Sequence, residues 1–404
     1  MQTLYKQLDI KNIQENKPFL NNLLINGFLS YNYNFLYVAV PKVACTTMKW
    51  WFAKLEAVDL DVSSIHKSLE STPELVIHDI ANIAPHLTRL PLSVIEEYLS
   101  KKDAFCFTLV RNPYMRIFSA WQSKMLLQEP LRIIPYQKYD FCNYKIDNKK
   151  DISLAFEYFL EHLYAYEHPA NFLDPHFMPQ YKILRPDIFP YSLIVKLEEK
   201  EKLKEALKIH LGEDVALPFE DKGNNVSLLS YNTEFITARS VELIKTIYQK
   251  DFEIFNYSTE LPVSKKNISE QEISIAIQAI NMIRWRHQRI SEMRSVSNNT
   301  INNLKNENAT LQKLNTQQLI KVENTLSALQ KTIENIAQHL INFPSTPQRF
   351  FLFFYTPILK LIAKPKYYQQ FKDNPNNFFA DTESTMNKIF LKFLELFGPK
   401  AKRF

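Results

Sequence analysis

The sequence predicts an α/β protein with a parallel central sheet, followed by a helical extension. Two strongly apolar segments, residues 35–40 and 104–110, each run into a polar turn and then into an amphipathic helix. A repeated strand–turn–helix pattern of this kind is typical of βαβ units, in which neighbouring strands are parallel. A chain of 404 residues can hold one such domain and an appendage.

Composition and charge narrow the class of protein. Apolar residues make up 46% of the chain and aromatic residues 13%, which indicates a folded globular protein. The three cysteines are widely spaced and form no CxxC pair, so neither a disulfide framework nor a zinc site is predicted. Residues 345–404 contain ten Lys/Arg and four Asp/Glu, which equals the whole net charge of +6. The main domain therefore carries no overall positive charge, and we expect no nucleic-acid partner.

The remaining elements follow in chain order. Residues 1–34 form a polar lead-in, and the predicted main domain covers residues 35–260. The first strand is followed by a helix over 44–57. The second is followed by a helix that opens at Pro113 and runs through residue 127. The later predicted elements are a helix over 151–167, a strand over 191–199, a helix ending at Gly212, and closing helices up to residue 257.

The segment 265–342 is predicted to be helical and to contain a coiled coil. Between residues 295 and 342 there is no proline or glycine, and apolar residues interrupted by two asparagines recur at steps of three and four with one stutter. The seam consists of Ile301, Leu304, Asn308, Leu311, Asn315, Leu319, Val322, Leu326, Leu329, Ile333, Ile336 and Leu340. This pattern favours a homo-oligomer formed through residues 301–340. The alternative is a helix packed on its own domain.

The tail, residues 343–404, contains two short apolar segments with basic flanks, 349–366 and 386–404. Both are too short to span a bilayer and resemble interfacial amphipathic helices near anionic lipid. A helical hairpin covering the core is the alternative. The N-terminus has no hydrophobic core of a signal peptide. We therefore expect a cytoplasmic protein at the inner face of the cell membrane, with peripheral contact through residues 345–404.

The turn after the first strand, "PKVACTTMK" (41–49), has the composition of an anion site. If a helix opens there, its first N–H groups point outward and its dipole adds positive potential. Lys42 adds a full charge, and Thr46 and Thr47 add hydroxyl donors. The chain has only four glycines and no GxxxxGK[ST] motif, so this is not an ordinary nucleotide-binding P-loop. An ordinary capped helix is the alternative.

The second turn, "FTLVRNPYMRIFSAW" (107–121), supports the first. Arg111 ends a strand that is otherwise apolar, and Arg116 and Ser119 follow on the next helix. Arginine is suited to a bidentate grip on a phosphate. A structural ion pair is the alternative for each arginine.

Together the two turns resemble the signature segments of carbohydrate sulfotransferases that use 3′-phosphoadenosine 5′-phosphosulfate (PAPS). Three later segments resemble that family in the same order: "DPHFMPQ" (174–180), "IVKLEE" (194–199) and "IYQKDFEIFNY" (247–257). The resemblance covers about residues 35–257. It implies a P-loop-like three-layer α/β/α sulfotransferase domain, PAPS as sulfuryl donor, a glycan acceptor and no metal.

The resemblance also implies roles for individual residues. The expected cradle for the 5′-phosphosulfate consists of Pro41, Lys42, Val43, Ala44, Cys45, Thr46 and Thr47. Within it, Lys42 would neutralise the leaving oxygen. The 3′-phosphate would be held by Arg111 and Ser119. The turn departs from the commoner family form, because Ala44 and Cys45 stand where smaller Gly or Ser residues are frequent.

Sulfuryl transfer to a hydroxyl needs a general base, which is usually His or Glu. The family often places this histidine between the two signature segments, where "LVIHDIANIAPHL" offers His78 and His86. His78 ends a short apolar run and is predicted at a strand end facing the cleft, so it is the favoured base. His86, His176 and the acids Glu70 and Glu74 remain alternatives.

Two other classes of protein fit parts of the sequence. One is a kinase or hydrolase with a degenerate phosphate loop, although the usual lysine pattern and acidic metal ligands are missing. The other is a non-enzymatic oligomeric scaffold at a membrane. A scaffold has no need for Lys42, Arg111 and Ser119 together, so the enzyme is the preferred interpretation. We expect a sulfotransferase acting on a cell-surface glycan or its lipid-linked precursor, in a bacterial-type arrangement.

Overall fold

A computed structural model of the chain describes residues 13–58, 73–79, 90–130, 133–167, 172, 174–219, 227–264 and 267–341. The chain divides into two compact units, Met1–Ser297 and Asn298–Phe404. Candidate residues His86 and Glu70, the side chain of Glu74, and both apolar segments of the tail lie outside what is described.

The first unit is built on a four-stranded sheet of mixed α/β type, which confirms the predicted fold class. Its strands are β1 (Gly27–Ser30), β2 (Phe35–Val38), β3 (Phe105–Val110) and β4 (Leu193–Lys196), and they lie in that order across the sheet. Strands β2, β3 and β4 are parallel, as predicted, whereas β1 pairs with β2 in the antiparallel direction.

Helices connect and flank these strands. The α-helices described are α1 (Ile13–Asn26), α2 (Cys45–Leu55), α3 (Leu92–Leu99), α4 (Pro113–Trp121), α5 (Lys149–Tyr166), α6 (Gln180–Leu184), α7 (Lys200–Leu211), α8 (Ala238–Ile247), α9 (Gln249–Ile254) and α10 (Glu270–Ile341). The 3₁₀ helices are Pro73–Asp79, Ile134–Tyr136, Asp140–Cys142, Leu197–Glu199 and Thr233–Phe235. A π-helix, Gln122–Leu126, continues directly from α4.

The N-terminal segment differs from the polar lead-in predicted over residues 1–34, because it contributes α1 and β1. Phe19 and Leu23 of α1 and Phe28 of β1 are buried in the core. Their apolar residues alternate with Asn and Lys, so the segment is polar on average although one face is apolar. Asn22 Nδ2 donates to the Ala39 carbonyl (3.2 Å), which ties α1 to the end of β2.

Packed aromatic rings fix β2 against β3. Phe35 and Tyr37 of β2 are fully buried, and the Tyr37 ring stacks on Phe107 of β3 with 5.2 Å between ring centroids. Val38 is paired in register with Thr108. The turns that follow β2 and β3 therefore emerge side by side at the carboxyl edge of the sheet, where ligands bind in open parallel sheets.

Helix α10 is the long helix predicted for the segment 265–342. In the second unit several of its described apolar side chains are solvent-exposed, including Leu304 (53%), Leu311 (56%) and Leu329 (54%). Among the helices that the structure describes, none combines the length and apolar character needed to cross a membrane.

Candidate functional site

The turn between β2 and α2 exposes helix amide groups to a cavity. Helix α2 begins at Cys45, and its N-cap residue, Ala44, supplies no side-chain cap. The amides of Cys45, Thr46 and Thr47 donate no hydrogen bond within the described residues; the first capping bond runs from Met48 N to Ala44 O (3.0 Å). Uncapped amides at a helix N-terminus form an anion site. The predicted geometry of this turn is therefore present.

The cavity beside this turn has a volume of about 1210 Å³. Most of the predicted donor residues line it: Pro41, Lys42, Ala44, Cys45, Thr46, Thr47, Arg111 and Ser119. Val43 is the exception, because its side chain is fully buried and its amide donates to Val40 O (3.3 Å). Val43 anchors the turn in the core and presents nothing to the cavity.

Lys42 is held at the cavity wall, and no acid of the described segments pairs with it. Its Nζ donates to Ser123 Oγ (2.9 Å), and Ser123 lies on the π-helix. Burial, and then the nearby Lys124 ammonium, lowers the pKa of Lys42 to about 7. A buried ammonium is costly without a counter-charge, so an anion bound here would be strongly favoured.

Arg111 stands at the end of β3 and reaches the first turn. Its Nη1 donates to the Lys42 carbonyl (3.1 Å), so the two turns are joined directly. Burial lowers the pKa of Arg111, although Glu198 opposes that effect. A guanidinium has five donors, and those not used on Lys42 can face a ligand in the cavity.

The main chain at Arg111 is clamped by the three later segments of the family resemblance. Gln180 accepts from Arg111 N and donates to Arg111 O, each at 2.9 Å, and Asp251 in turn accepts from Gln180 N (2.8 Å). Glu198 accepts from Asn112 N (3.0 Å) and from the Tyr257 hydroxyl (2.9 Å). These motifs therefore position the Arg111 turn.

Arg116 does not bind a ligand in this arrangement. Its side chain is only 1% exposed, and its donors reach the carbonyls of Pro41 (3.1 Å), Met178 (2.7 Å) and Pro175 (3.3 Å). It joins the first turn to the segment 174–180. Ser119, one turn further along α4, is buried and lines the cavity.

His78 lies at the cavity, but not at a strand end as predicted. It belongs to the 3₁₀ helix Pro73–Asp79, because Pro73 favours a helical start and the short apolar run 75–77 packs as one turn. Its Nε2 is 3.1 Å from Thr46 Oγ1, and its Nδ1 is 3.5 Å from Lys49 Nζ. Burial, followed by the Lys49 charge, lowers the pKa of His78 well below 6.5. The imidazole is therefore neutral at pH 7.

His176 also lines the cavity, and it is paired with an acid. Its Nδ1 is 2.6 Å from Asp174 Oδ1, and Asp174 is buried. A histidine oriented by a carboxylate is a common arrangement for a general base. The structure thus brings two of the candidate histidines to one cavity.

Sequence reasoning missed several residues of this site. Ser123 and Lys124 belong to no recognised motif, and the π-helix that places them has no sequence signature. Lys49 reaches His78 and also donates to Asn26 Oδ1 (3.0 Å) at the end of α1. A lysine on an amphipathic helix usually faces solvent, so the sequence position of Lys49 provided no signal for this role. Within the described residues no group of three or more His, Cys, Asp or Glu is placed to hold a metal.

Comparison with known proteins identifies the same region. A family model described as the sulfotransferase family matches residues 27–258. Carbohydrate sulfotransferase 10 of Xenopus laevis is 26% identical over 249 residues, which is 57% of this chain and 66% of that protein. Carbohydrate sulfotransferase 12 of Mus musculus is 25% identical over 265 residues, covering 59% of this chain and 60% of that protein.

Carbohydrate sulfotransferase 10 of Homo sapiens is 25% identical over 264 residues, which covers 61% of this chain and 71% of that protein. The matched region therefore spans between 60% and 71% of the length of these three relatives. No solved structure matches the chain.

Proposed function

This chain belongs to the sulfotransferase family, and on that premise we propose that it transfers the sulfuryl group of PAPS to a hydroxyl of a glycan. The observation that carries the proposal is the corner where the uncapped amides of α2, Lys42 and Arg111 meet. Amides and cations aimed at one point fit a ligand with several phosphate and sulfate charges. Sulfotransferases of carbohydrates are also among its relatives.

The donor site divides between the two turns. Residues 44–47 would bind the 5′-phosphosulfate through their amides and the hydroxyls of Thr46 and Thr47. Arg111 and Ser119 would bind the 3′-phosphate, since both line the same cavity. PAPS supplies the sulfuryl group and leaves as 3′-phosphoadenosine 5′-phosphate (PAP).

The reaction needs charge stabilisation and a proton acceptor. The acceptor oxygen forms a bond to sulfur while the bond from sulfur to the bridging phosphate oxygen breaks. Negative charge then develops on the 5′-phosphate, where Lys42 and the α2 amides stabilise it without rearrangement. The hydroxyl proton passes to a histidine. His78 is our proposed base, because its Nε2 lies 3.1 Å from Oγ1 of Thr46, a residue of the proposed phosphate cradle.

The first experiment is calorimetric titration of the purified full chain with PAP, ATP and AMP. We expect the wild type to bind PAP tightly and not to bind ATP or AMP tightly. Lys42→Ala and Arg111→Ala should each bind PAP more weakly than the wild type. Lys54→Ala is the matched control, because Lys54 lies near the end of α2, away from the turn that holds Lys42, and is exposed. Tight binding of ATP instead would favour the degenerate kinase or hydrolase. Binding of no nucleotide would refute the donor site and favour the scaffold.

Assembly and location extend the proposal. The heptad seam over residues 301–340 supports a homo-oligomer, because several of its apolar side chains are exposed along α10: Leu304, Leu311, Leu319, Leu326 and Leu329. The basic tail supports peripheral contact with anionic lipid at the cytoplasmic face of the cell membrane, where a lipid-linked glycan precursor would be reached. Loss of residues 345–404 should then move the protein from the membrane fraction to the soluble fraction. An unchanged distribution would refute this location.

A further inference from the structure

Two helices outside the family match complete the wall of the cavity. The family model covers residues 27–258, whereas α1 ends at Asn26 and α10 begins at Glu270. Lys17 of α1 and Ile283, Arg286 and Ile290 of α10 nevertheless line the cavity. The three α10 residues are spaced by three and four positions, so they share one face of the helix.

The α10 turn is fixed against the donor site by hydrogen bonds. Arg284 donates to the carbonyls of Leu126 (2.6 Å) and Tyr144 (2.7 Å), and His287 Nδ1 is 2.6 Å from the Leu127 carbonyl. Leu126 ends the π-helix, and Ser123 of that π-helix holds Lys42. The same short segment therefore contacts the proposed catalytic lysine at its start and α10 at its end.

Among the residues that the structure describes, positive charges outnumber negative ones at the cavity wall. These lining residues include six Lys or Arg side chains and one acid, Glu129. The sulfuryl donor would bind Lys42 and Arg111. Lys124 is paired with Glu129, with 3.5 Å between Nζ and Oε2. Lys49 is used on Asn26 and His78.

Two cations of the wall remain without a role. Lys17 and Arg286 make no hydrogen bond or ion pair within the part of the chain that the structure describes. Both are exposed and both stand on the two added helices.

We infer that the turn Ile283–Ile290 of α10 forms one wall of the acceptor site and that Arg286 binds an anionic group of the glycan. The inference rests on the proposed function and deepens it by naming the acceptor class, a sugar that carries a carboxylate or a sulfate. Ile283 and Ile290 supply flanking apolar contacts for a sugar face, and Arg286 supplies a planar pair of donors for the anion. Lys17 of α1, which also lines the cavity, adds a second, less directional charge.

The test uses the full chain saturated with PAP and three probes of equal length. These are a tetrasaccharide of glucuronic acid, its carboxyl-reduced neutral counterpart, and that neutral counterpart carrying sulfate esters. Affinities are measured by calorimetry for the wild type, Arg286→Gln and Arg289→Gln. Arg289 is the matched control, because it lies on the same helix, is exposed and pairs with Glu292 (2.9 Å).

We expect at least one anionic probe to bind about tenfold more tightly than the neutral probe, a preference that Arg286→Gln removes and Arg289→Gln keeps. Which anionic probe is preferred tells a carboxylate from a sulfate. Unchanged PAP affinity in Arg286→Gln shows that the variant is folded. Equal affinity for all probes, or equal effects of the two substitutions, overturns the inference. Absence of PAP binding would instead refute the proposed function.

Discussion

Lys42 and Ala44 take backbone conformations that glycine usually supplies. Their φ angles are 67° and 50°, both in the left-handed region. An L-residue held there costs about 1–2 kcal/mol, and such strain is often found where a loop must hold a functional shape. The scarcity of glycine therefore does not prevent a phosphate-binding turn in this chain. Sequence reasoning located the turn from Lys42 and the two threonines, but it could not show that Val43 points into the core.

Binding of PAP should take up a proton at pH 8. In the free protein burial and Lys124 lower the pKa of Lys42 to about 7, so the amine is mostly neutral at that pH. A bound phosphate favours the charged ammonium and raises the pKa, so affinity should fall as the pH rises from 7 to 9. Titrations in buffers of different ionisation enthalpy measure the proton uptake. Lys42→Met should abolish it, and a wild type without uptake would contradict this account.

His78→Asn should lower kcat by roughly 10²–10⁴-fold, the usual contribution of a general base. The variant should still bind PAP. Because burial and Lys49 lower the pKa of His78 below 6.5, wild-type activity should persist to more acidic pH than that value. Rates of sulfuryl transfer to a glycan across pH 5–9 check both points. If His176→Asn causes the larger loss and His78→Asn a small one, the base is the histidine paired with Asp174.

At the scale of elements, the strands and the helices that follow them were predictable because their signals are local. Strand β2 is a short apolar run and β3 is apolar except for Thr108, and α4 opens with Asn112 as N-cap and Pro113 at its first position. Strand β1 was not, since a strand of only four residues carries little pattern of its own, even though it pairs with the adjacent β2. The role of Gln180 also depends on contacts across 69 positions, which no local pattern reports.

Gln180→Ala should weaken the fold and the donor site together. The substitution leaves the buried N–H and C=O of Arg111 without partners, at about 1–3 kcal/mol each. We expect the free energy of unfolding to fall by about 2–5 kcal/mol and PAP to bind more weakly, although Gln180 does not reach the phosphates. Denaturant unfolding and calorimetry measure the two effects. Gln249→Ala, on an exposed glutamine that bonds Glu253, is the control and should change neither.

At the scale of the whole molecule, α10 belongs to two units with different surfaces. Up to Ser297 it packs on the sulfotransferase domain, with Ile273 and Ile280 buried. Beyond that point Leu304, Leu311, Leu319, Leu326 and Leu329 of the heptad seam are exposed. The sequence predicted a helical extension from a shift in composition near residue 265, whereas the boundary between the two units lies at Ser297. The anchoring of α10 by Arg284 and His287 had no sequence signal.

The exposed seam should hold chains together in solution. Leu311→Asp combined with Leu326→Asp places charges in a coiled-coil core and should convert an oligomer to a monomer at micromolar concentration. Sedimentation equilibrium of the full chain gives the mass. Gln317→Asp, off the seam on the same helix, should leave the mass unchanged. A wild type that sediments as a monomer would refute self-association.

Because of the π-helix, the shape of one edge of the cavity depends on the number of residues in this segment as well as on their identity. Its hydrogen bonds run from Leu127 N to Gln122 O (3.0 Å) and from Glu129 N to Lys124 O (3.2 Å), five residues apart instead of four. Removing one residue, for example Met125, would restore ordinary α-helical spacing and turn everything after it by about 100°. The carbonyls that Arg284 and His287 bind would then face elsewhere. An alignment of relatives across this segment should accordingly contain a one-residue gap wherever the partner helix α10 is missing.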